Sequence, residues 1–258
     1  MFTKKIILPV LLFSCISAFS QISFGDSQKI NDNWKFNLQE TPEAKNTTFD
    51  DSKWQSVNVP HDWSVKGQLS PTLASCTGYL PGGIAWYRKS VNIPQSKSGE
   101  KVYLYFEGVY NRSEVFINGH SLGKRPNGYI SFAYDATQYV KFEGENTISV
   151  RVDHSQSADS RWYTGSGIYR DVYLVYANPV HIGQWGVYAY PEVKNGTGTL
   201  NVEVDIENDS KAKSNLTIVN ELISKDGKSV AKSSSKVEVA ANQNGKISSK
   251  LNVKNPQI

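Results

Sequence analysis

Residues 160–175 read SRWYTGSGIYRDVYLV, and this stretch decides the fold that the rest of the chain supports. Its second half, residues 168–175, is dense in β-branched and aromatic side chains and predicts a β-strand. Its first half is aromatic, charged and rich in glycine, and Gly165 and Gly167 permit backbone angles that are closed to other residues. A loop of this kind beside a strong strand is where a rigid β-scaffold tends to carry functional residues.

Two interpretations of the first half remain open at this point. Arg161 offers planar hydrogen-bond donors, while Trp162 and Tyr163 offer flat apolar faces with polar tips, so the three could bind a sugar ring. Alternatively, Trp162 and Tyr163 are core aromatic residues that cap one end of a sandwich. Residue types alone do not separate a binding corner from a core cap.

In the sequence before this stretch, apolar and polar residues alternate with the two-residue period that is typical of half-buried strands. Val102, Leu104 and Phe106 share one predicted face, and Asn118-Gly119 is a strong hairpin signal. Only residues 135–140 hint at a helical turn. Strands are predicted at residues 33–38, 54–59, 85–93, 102–107, 114–117, 132–134 and 147–153. This close spacing predicts a sandwich or jelly roll over residues 24–177.

After Asn178-Pro179 the composition changes, because Gly, Trp and Arg become sparse while Ser, Lys, Asn and Val increase. Strand patterns continue at residues 180–190, 200–206 and 216–222, with a hairpin signal at 226–227. We expect a polar turn at residues 241–245, after which Leu251 and Val253 open the last strand. Residues 178–258 therefore predict a small immunoglobulin-like β-sandwich, which we expect to be truncated at its C-terminal end. The predicted fold class is all-β.

Residues 1–20 have the pattern of a secretory signal peptide. Two lysines precede a short apolar run, and small residues precede a predicted mature start at Gln21. The apolar run is too short to cross a bilayer, so we predict a secreted or periplasmic protein without a membrane span. An alternative is lipid attachment at Cys15, because the residues before it resemble a bacterial lipobox.

Composition excludes several classes of function. The 258 residues carry a net charge of +4 without a dense run of Lys and Arg, so nucleic-acid binding is not supported. Once the leader is removed, Cys76 is the only cysteine left, and no internal disulfide is predicted. No metal-ligand spacing, phosphate-binding loop or nucleophile triad occurs in the sequence, so we predict no metal and no cofactor.

Four motifs follow one another along the first predicted domain. They are WQSVNVPHDW at 54–63, YLPGGIAWYR at 79–88, FEGV at 106–109 followed by VFING at 115–119, and GIYRDV at 167–172. In this order and spacing they resemble the galactose-binding-like jelly roll of glycoside hydrolase family 2, the family of β-galactosidases, β-mannosidases and β-glucuronidases. The versions in this chain look most like those of β-galactosidases, and the resemblance extends over about residues 24–258.

The resemblance implies an order of jelly roll, immunoglobulin-like domain and (β/α)₈ barrel, with two catalytic glutamates on the barrel. A barrel needs roughly 250 residues of alternating strand and helix, and none remain in this sequence. We therefore expect no catalytic residue in this chain and no activity from it alone; its partner is the catalytic barrel of the full-length protein. Asn220-Glu221 superficially matches the family's acid/base pair, but it lies on an alternating strand and is interpreted as ordinary.

The resemblance also implies which residues contact the substrate, a galactoside or related glycoside. Many members carry an Asp about seven residues before the Ile of the Gly-Ile-aromatic-Arg motif, and here that position is Arg161. Arg161 could donate to a hydroxyl or bind an acidic sugar, and Asp159 could substitute for the missing carboxylate. The loop at residues 70–78 matches a second family loop and offers Cys76. The predicted substrate-binding residues are Arg161, Trp162, Asp159 and Cys76.

The remaining polar motif residues are interpreted as structural. We expect His61 and Asp62 to form a polar pair that holds the turn after Pro60, since buried polar groups normally find partners. We expect Arg88 to form an ion pair, while Arg170 and Asp171 could pair across a sheet. Two rival functions stay open beside the enzyme fragment: a stand-alone carbohydrate-binding module and a structural adhesion protein.

Overall fold

The structure, a computed structural model, describes residues 22, 24–156, 162–254 and 256. Every regular element in this part is a β-strand, apart from short 3₁₀ turns at Pro42–Lys45, Ser64–Lys66, Ser75–Thr77, Gln95–Lys97 and Thr137–Tyr139. The predicted all-β class is confirmed. The described residues contain no helix with the length and apolar character needed to cross a membrane. The predicted signal peptide, with Cys15 in it, lies outside the described residues.

The first sandwich packs a six-stranded sheet on a four-stranded sheet, and all of its strand pairs are antiparallel. Its strands are β1 (Asp26–Lys29), β2 (Trp34–Asn37), β3 (Gln55–Val57), β4 (Gly83–Asn92), β5 (Lys101–Phe106), β6 (Ser113–Ile117), β7 (His120–Arg125), β8 (Phe132–Asp135), β9 (Glu145–His154) and β10 (Val172–Ala177). The sheet orders are β3-β2-β4-β9-β6-β7 and β1-β10-β5-β8. One continuous core lies between the sheets.

Strand β5 has the predicted two-sided pattern, with Val102, Leu104 and Phe106 fully buried. The predicted hairpin joins β6 to β7, and both of its turn residues, Asn118 and Gly119, have positive φ. One strand prediction is wrong at its start, because β10 begins at Val172 and not at residue 168. The backbone just before β10 forms hydrogen bonds with loop residues instead of a neighbouring strand. For example, the Ile168 carbonyl accepts a hydrogen bond from the His61 amide at 2.7 Å.

The second sandwich consists of β11 (Val180–Lys194), β12 (Thr197–Asn208), β13 (Ser214–Ile223), β14 (Ser229–Val239) and β15 (Gln243–Lys254). A three-stranded sheet, β11-β12-β15, faces the β13-β14 hairpin across a small core. The predicted polar turn is shorter than expected, because Asn242 adopts a positive φ and closes a three-residue loop. Strand β15 therefore begins at Gln243, and Leu251 and Val253 lie near its end instead of opening it.

Polar contacts connect the two sandwiches. The Lys101 ammonium on β5 lies 2.6 Å from the Asp135 carboxylate and 2.9 Å from that of Asp209, which follows β12. Burial alone would raise the pKa of Asp135, but the hydrogen bonds from Lys101 and Thr137 and the charge of Lys101 together outweigh it and hold that pKa below its usual value. The Tyr103 hydroxyl also lies 3.3 Å from the ring of His181 on β11.

Candidate functional site

The four residues predicted to bind substrate are only partly visible in the structure. Asp159 and Arg161 lie outside the described residues. Cys76 lies in the 3₁₀ turn Ser75–Thr77. The Trp162 side chain is 62% exposed and that of Tyr163 is 44% exposed, so the core-cap interpretation of these two aromatic residues is wrong. Their predicted contact with a sugar stays a prediction.

Asp62 anchors the backbone beside this exposed corner. Its Oδ1 accepts hydrogen bonds from the backbone amides of Ser64 and Ser166, each at 2.9 Å. Its Oδ2 accepts a 2.5 Å hydrogen bond from the Tyr163 hydroxyl. The structural role that the sequence predicts for Asp62 is therefore confirmed. Its partner is not His61, however, but the segment at residues 163–166, which Asp62 fixes to the turn after Pro60.

His61 faces a different partner inside the first sandwich. Its Nδ1 lies 2.8 Å from the hydroxyl of Tyr87, which is completely buried on β4. Burial, and then the charge of Lys66, lower the pKa of His61, so its ring is neutral at pH 7. His61 and Asp62 hold the same turn, but through separate contacts on its two sides.

A chain of buried side-chain hydrogen bonds connects three loops below the corner. The Ser64 hydroxyl donates to the Pro81 carbonyl at 2.6 Å and lies 2.5 Å from the Ser166 hydroxyl. The Ser166 hydroxyl lies 2.6 Å from Nδ1 of His154, which ends strand β9. The sequence analysis missed this chain, because isolated serines carry no local signal and Ser64 and Ser166 are 102 positions apart.

Aromatic side chains extend the corner on its other side. The Trp162 indole donates to the Tyr129 hydroxyl at 3.0 Å, and the Tyr129 ring contacts the Tyr110 ring edge-on at 5.3 Å between centroids. The Tyr110 ring in turn contacts His154 at 5.0 Å. Tyr129 is half exposed and was not predicted from the sequence. We call the exposed set Tyr129, Trp162 and Tyr163 the aromatic rim.

A cleft of about 300 Å³ lies next to the aromatic rim, between the segment at residues 73–83 and the end of β9. Thr77 and His154 are polar residues of its lining, and Leu80 and Pro81 are apolar ones. A Cβ added at Gly78 would lie 4.0 Å from the Tyr163 ring. The loop that carries Cys76 therefore runs beside the rim. The lining also reaches Gln156, the last described residue before the segment with Asp159 and Arg161.

This geometry suits a polar ring-shaped ligand. Sugar sites combine flat aromatic faces with a few fixed hydrogen-bond groups in a concave surface. The rim supplies the faces, and the Asp62 and Ser64 contacts hold the surrounding loops in one arrangement. Among the described residues, no group of three or more His, Cys, Asp or Glu side chains could hold a metal ion.

The Tyr163 hydroxyl provides a test of how firmly Asp62 holds the corner. Burial and the hydrogen bond to Asp62 raise the pKa of Tyr163. We expect Tyr163→Phe to lower the free energy of unfolding by about 1 kcal/mol at pH 7. The advantage of the parent protein shrinks above pH 10, because tyrosine then ionises in the unfolded chain while folded Tyr163 keeps its proton until higher pH. Urea denaturation at pH 7 and pH 10.5 measures both effects.

The control for this prediction is Tyr79→Phe. Tyr79 is 47% exposed, and its hydroxyl makes no hydrogen bond to the described residues, so the substitution is expected to leave stability unchanged. A Tyr163→Phe difference that is absent at pH 7, or that does not depend on pH, would contradict the role assigned to Asp62.

Comparison with known families covers the described part of the chain almost completely. A family model described as glycosyl hydrolases family 2, sugar binding domain, matches residues 27–179. A second, described as glycosyl hydrolases family 2, matches residues 180–258. The boundary between the two matches falls between strands β10 and β11.

Individual relatives agree with these matches. The chain is 39% identical to a β-galactosidase of Bacteroides ovatus over 94% of its own length and 29% of that protein. It is 40% identical to a putative β-glucuronidase of Formosa agariphila over 88% of its own length and 22% of that protein. A solved β-glycosidase structure from Bacteroides vulgatus superimposes with a TM-score of 0.79 at 38% identity, covering 91% of this chain and 30% of that one. The chain thus spans less than a third of these relatives.

Proposed function

The chain belongs to glycoside hydrolase family 2, and on this premise we propose that it is the sugar-binding N-terminal part of a longer, secreted, β-galactosidase-like enzyme. The observation that carries the proposal is the exposed aromatic rim beside the cleft at residues 73–83. In this proposal the chain forms part of the wall around the bound sugar, and the two catalytic glutamates come from a barrel outside these 258 residues.

The proposed chemistry divides between the two parts of the longer protein. Retaining cleavage of a glycosidic bond uses two carboxyl groups about 5 Å apart, one as nucleophile and one as acid/base. The chain contributes binding and orientation, which accelerate a reaction when they hold the substrate in its reactive geometry. Trp162 offers a ring face to the sugar while its indole is held by Tyr129, and Asp159, Arg161 and Cys76 remain the proposed polar contacts.

The proposed partner domain would also cover a second exposed surface. Strand β11, at the edge of its sheet, carries Trp185, Tyr188 and Tyr190 with much of each side chain exposed. Large exposed aromatic residues that lie close together are typical of contact surfaces. The greater length of the relatives supports the catalytic barrel as the occupant of this surface.

Export is the remaining part of the proposal. It rests on the signal-peptide pattern of residues 1–20 and predicts that the mature chain begins at Gln21. Cell fractionation followed by N-terminal sequencing tests it. A lipid-modified Cys15 at the mature N-terminus would support the lipoprotein alternative, and a cytoplasmic protein that keeps residues 1–20 would contradict export.

The main rival is a stand-alone carbohydrate-binding module, which the same exposed aromatic rim would also suit. The two proposals differ in affinity, since a module must hold its sugar without help, whereas one wall of a divided site binds weakly. We expect the 258-residue chain to bind galactosides with a Kd of about 1 mM or weaker. Calorimetry with galactose, mannose, glucuronate and oligosaccharides measures this, and micromolar binding would favour the module.

Substitution of Trp162 tests the function itself. We expect Trp162→Ala to weaken galactoside binding about tenfold, because the ring face is lost, and we expect no hydrolysis of nitrophenyl glycosides by the chain alone. NMR titration at millimolar sugar follows binding through the indole signals. The matched control is Trp185→Ala, which removes an equally exposed tryptophan from the second sandwich. Unchanged binding in Trp162→Ala, or glycoside turnover by the parent chain, would contradict the proposal.

A further inference from the structure

A second cleft, of about 350 Å³, lies on the other side of Pro81 from the cleft beside the aromatic rim. Pro81 lines both clefts. The Trp63 indole donates a hydrogen bond to the carbonyl of the next residue, Gly82, at 3.2 Å. The second cleft is lined by residues of strands β2 and β3 and of the turn after Pro60. We call it the lysine cleft, after Lys53 and Lys66 in its lining.

The charge of the lysine cleft is one-sided. Lys53 and Lys66 line it, and no Asp or Glu is among the described residues of its lining. Neither lysine forms an ion pair with a carboxylate of the described residues, in contrast to Lys29, which binds Asp171 at 2.5 Å. The charge of Asp62 acts on His61, but Asp62 lies outside the lining and its oxygens accept hydrogen bonds from Ser64, Ser166 and Tyr163. Two lysines in a lining without a carboxylate among its described residues favour an anionic ligand.

Two neighbours complete the electrostatic surroundings of Lys53. Asp50 lies close enough for the Lys53 charge to lower its pKa, although its hydrogen bonds with Ser52 lower it more. Asp51 binds the buried guanidinium of Arg88 at 2.7 Å. Both carboxylates lie outside the cleft lining, so the space inside the cleft faces cationic groups.

His61 adds a directed donor to the lysine cleft. The Tyr87 hydroxyl is completely buried and therefore needs an acceptor for its proton, and Nδ1 of His61 lies 2.8 Å from it. Because Nδ1 accepts this proton, the ring proton of the neutral imidazole lies on Nε2. His61 lines the cleft, and its Nε2 has no hydrogen-bond partner among the described residues. The Nε2–H group is thus available to a ligand oxygen.

The rest of the lining matches a sugar ring. Trp54 and Leu38 offer apolar surface, while the Asn37 and Gln55 side chains can donate to or accept from hydroxyl groups. Small inorganic anions would leave these apolar and amide groups unused. These lining residues therefore favour an anionic saccharide over a small inorganic anion as the ligand of the cleft.

We propose that the lysine cleft binds a saccharide unit that carries a carboxylate or a sulfate, with the anionic group between Lys53 and Lys66 and a ligand oxygen on His61 Nε2. The inference rests on the proposed function in that the ligand is a carbohydrate. It adds a second binding site, on the other side of Pro81 from the aromatic rim, for a charged unit of a larger glycan.

The test uses NMR titration of the 258-residue chain, read through the indole signals of Trp54 and Trp162. Methyl glucuronide and galactose 6-sulfate represent the two anionic groups, and methyl galactoside is the neutral probe. We expect either or both anionic probes to shift Trp54 more strongly than the neutral one does. Lys53→Gln/Lys66→Gln is expected to weaken that binding about tenfold, and added salt is expected to weaken it in the parent.

The matched control is Lys232→Gln/Lys236→Gln, which removes two exposed lysines from strand β14 and should leave binding unchanged. A response of Trp162 alone, unaffected by the Lys53 and Lys66 substitutions, would overturn this inference while supporting the proposed function. A charge-dependent response of Trp54 alone would support the inference and count against the rim. Equal effects of inorganic sulfate and the sulfated sugar on Trp54 would overturn the saccharide assignment.

Discussion

Arg88→Met is expected to lower the free energy of unfolding by about 3–5 kcal/mol, because it removes one partner of an ion pair whose guanidinium is buried. Arg88 lies on strand β4 and its side chain is only 4% exposed. Methionine has a similar apolar length but none of the five guanidinium donors. The substitution therefore removes the charge and the hydrogen bonds while keeping most of the packing volume.

The cost follows from what the guanidinium binds. Its Nε donates to Asp51 at 2.7 Å, and its Nη atoms donate to the carbonyl oxygens of Ala44, Asn46 and Phe49. These partners all belong to the segment at residues 42–51, which crosses the outer face of the six-stranded sheet. Without Arg88, a partly buried carboxylate and several carbonyl groups lose their donor, and each unpaired group is penalised.

Urea denaturation of the parent and the variant measures this effect. Lys124→Met is the matched control, because Lys124 lies on the same sheet and is 74% exposed beside Glu114, so its loss is expected to change stability by less than about 0.5 kcal/mol. Arg88→Lys should restore little, since one ammonium cannot reach all the partners. A loss below about 1 kcal/mol for Arg88→Met would show that water replaces the guanidinium contacts.

Arg88 also marks how far the sequence could predict this structure. The sequence predicts an ion pair for Arg88, and the structure confirms it. Its partner could not be predicted, since Asp51 lies 37 positions earlier in a loop without a distinctive pattern. The same holds for Asp171, which binds Lys29 on the neighbouring strand β1, in agreement with the predicted pairing across the sheet, and also binds Asn31. Arg170 lies over the ring of Tyr169 instead.

Strands were predictable where one face is buried, because burial imposes a two-residue period on the sequence. Strand β5 and the hairpin at Asn118-Gly119 follow directly from such local rules. Strand β15 did not, since the turn before it uses Asn242 at positive φ where glycine would have given a clearer signal. Local chemistry specified the elements, but the ends of elements depended on single backbone conformations.

The candidate site was predictable only in its location. The sequence identified the segment at residues 160–167 as a functional loop, but it could not decide whether Trp162 faces the core or the solvent. That decision depends on Asp62 and Tyr129, which hold this segment from positions 101 and 33 residues away. Side chains that act through such long-range contacts leave no local pattern.

Gly167→Ala is expected to lower the free energy of unfolding by about 4 kcal/mol and to disturb both clefts together. Gly167 has a φ of +121°, a backbone conformation that side chains rarely allow. A Cβ at this position would lie 2.3 Å from the Tyr87 hydroxyl and 2.6 Å from the His61 carbonyl. Neither neighbour can move easily, because Tyr87 is buried in a central strand and the His61 amide donates a hydrogen bond to the Ile168 carbonyl.

The functional consequence follows from the same contacts. Gly167 exchanges two backbone hydrogen bonds of 2.9 Å with Tyr110, so its displacement moves the residue that supports Tyr129 in the aromatic rim. It also moves His61, which lines the lysine cleft. We therefore expect Gly167→Ala to weaken galactoside binding at the rim and anionic-sugar binding at the lysine cleft together, whereas Trp162→Ala affects only the rim.

Two further variants separate the clash from the backbone penalty. Gly99→Ala is the matched control, because Gly99 also has a positive φ, +92°, but a Cβ there meets nothing within 4 Å; about 1–2 kcal/mol of destabilisation is expected. Tyr87→Phe in the Gly167→Ala background removes the closest clashing atom, so the two substitutions should cost less together than the sum of their separate costs. Equal losses in Gly167→Ala and Gly99→Ala would mean that the close approach to Tyr87 and His61 does not constrain this position.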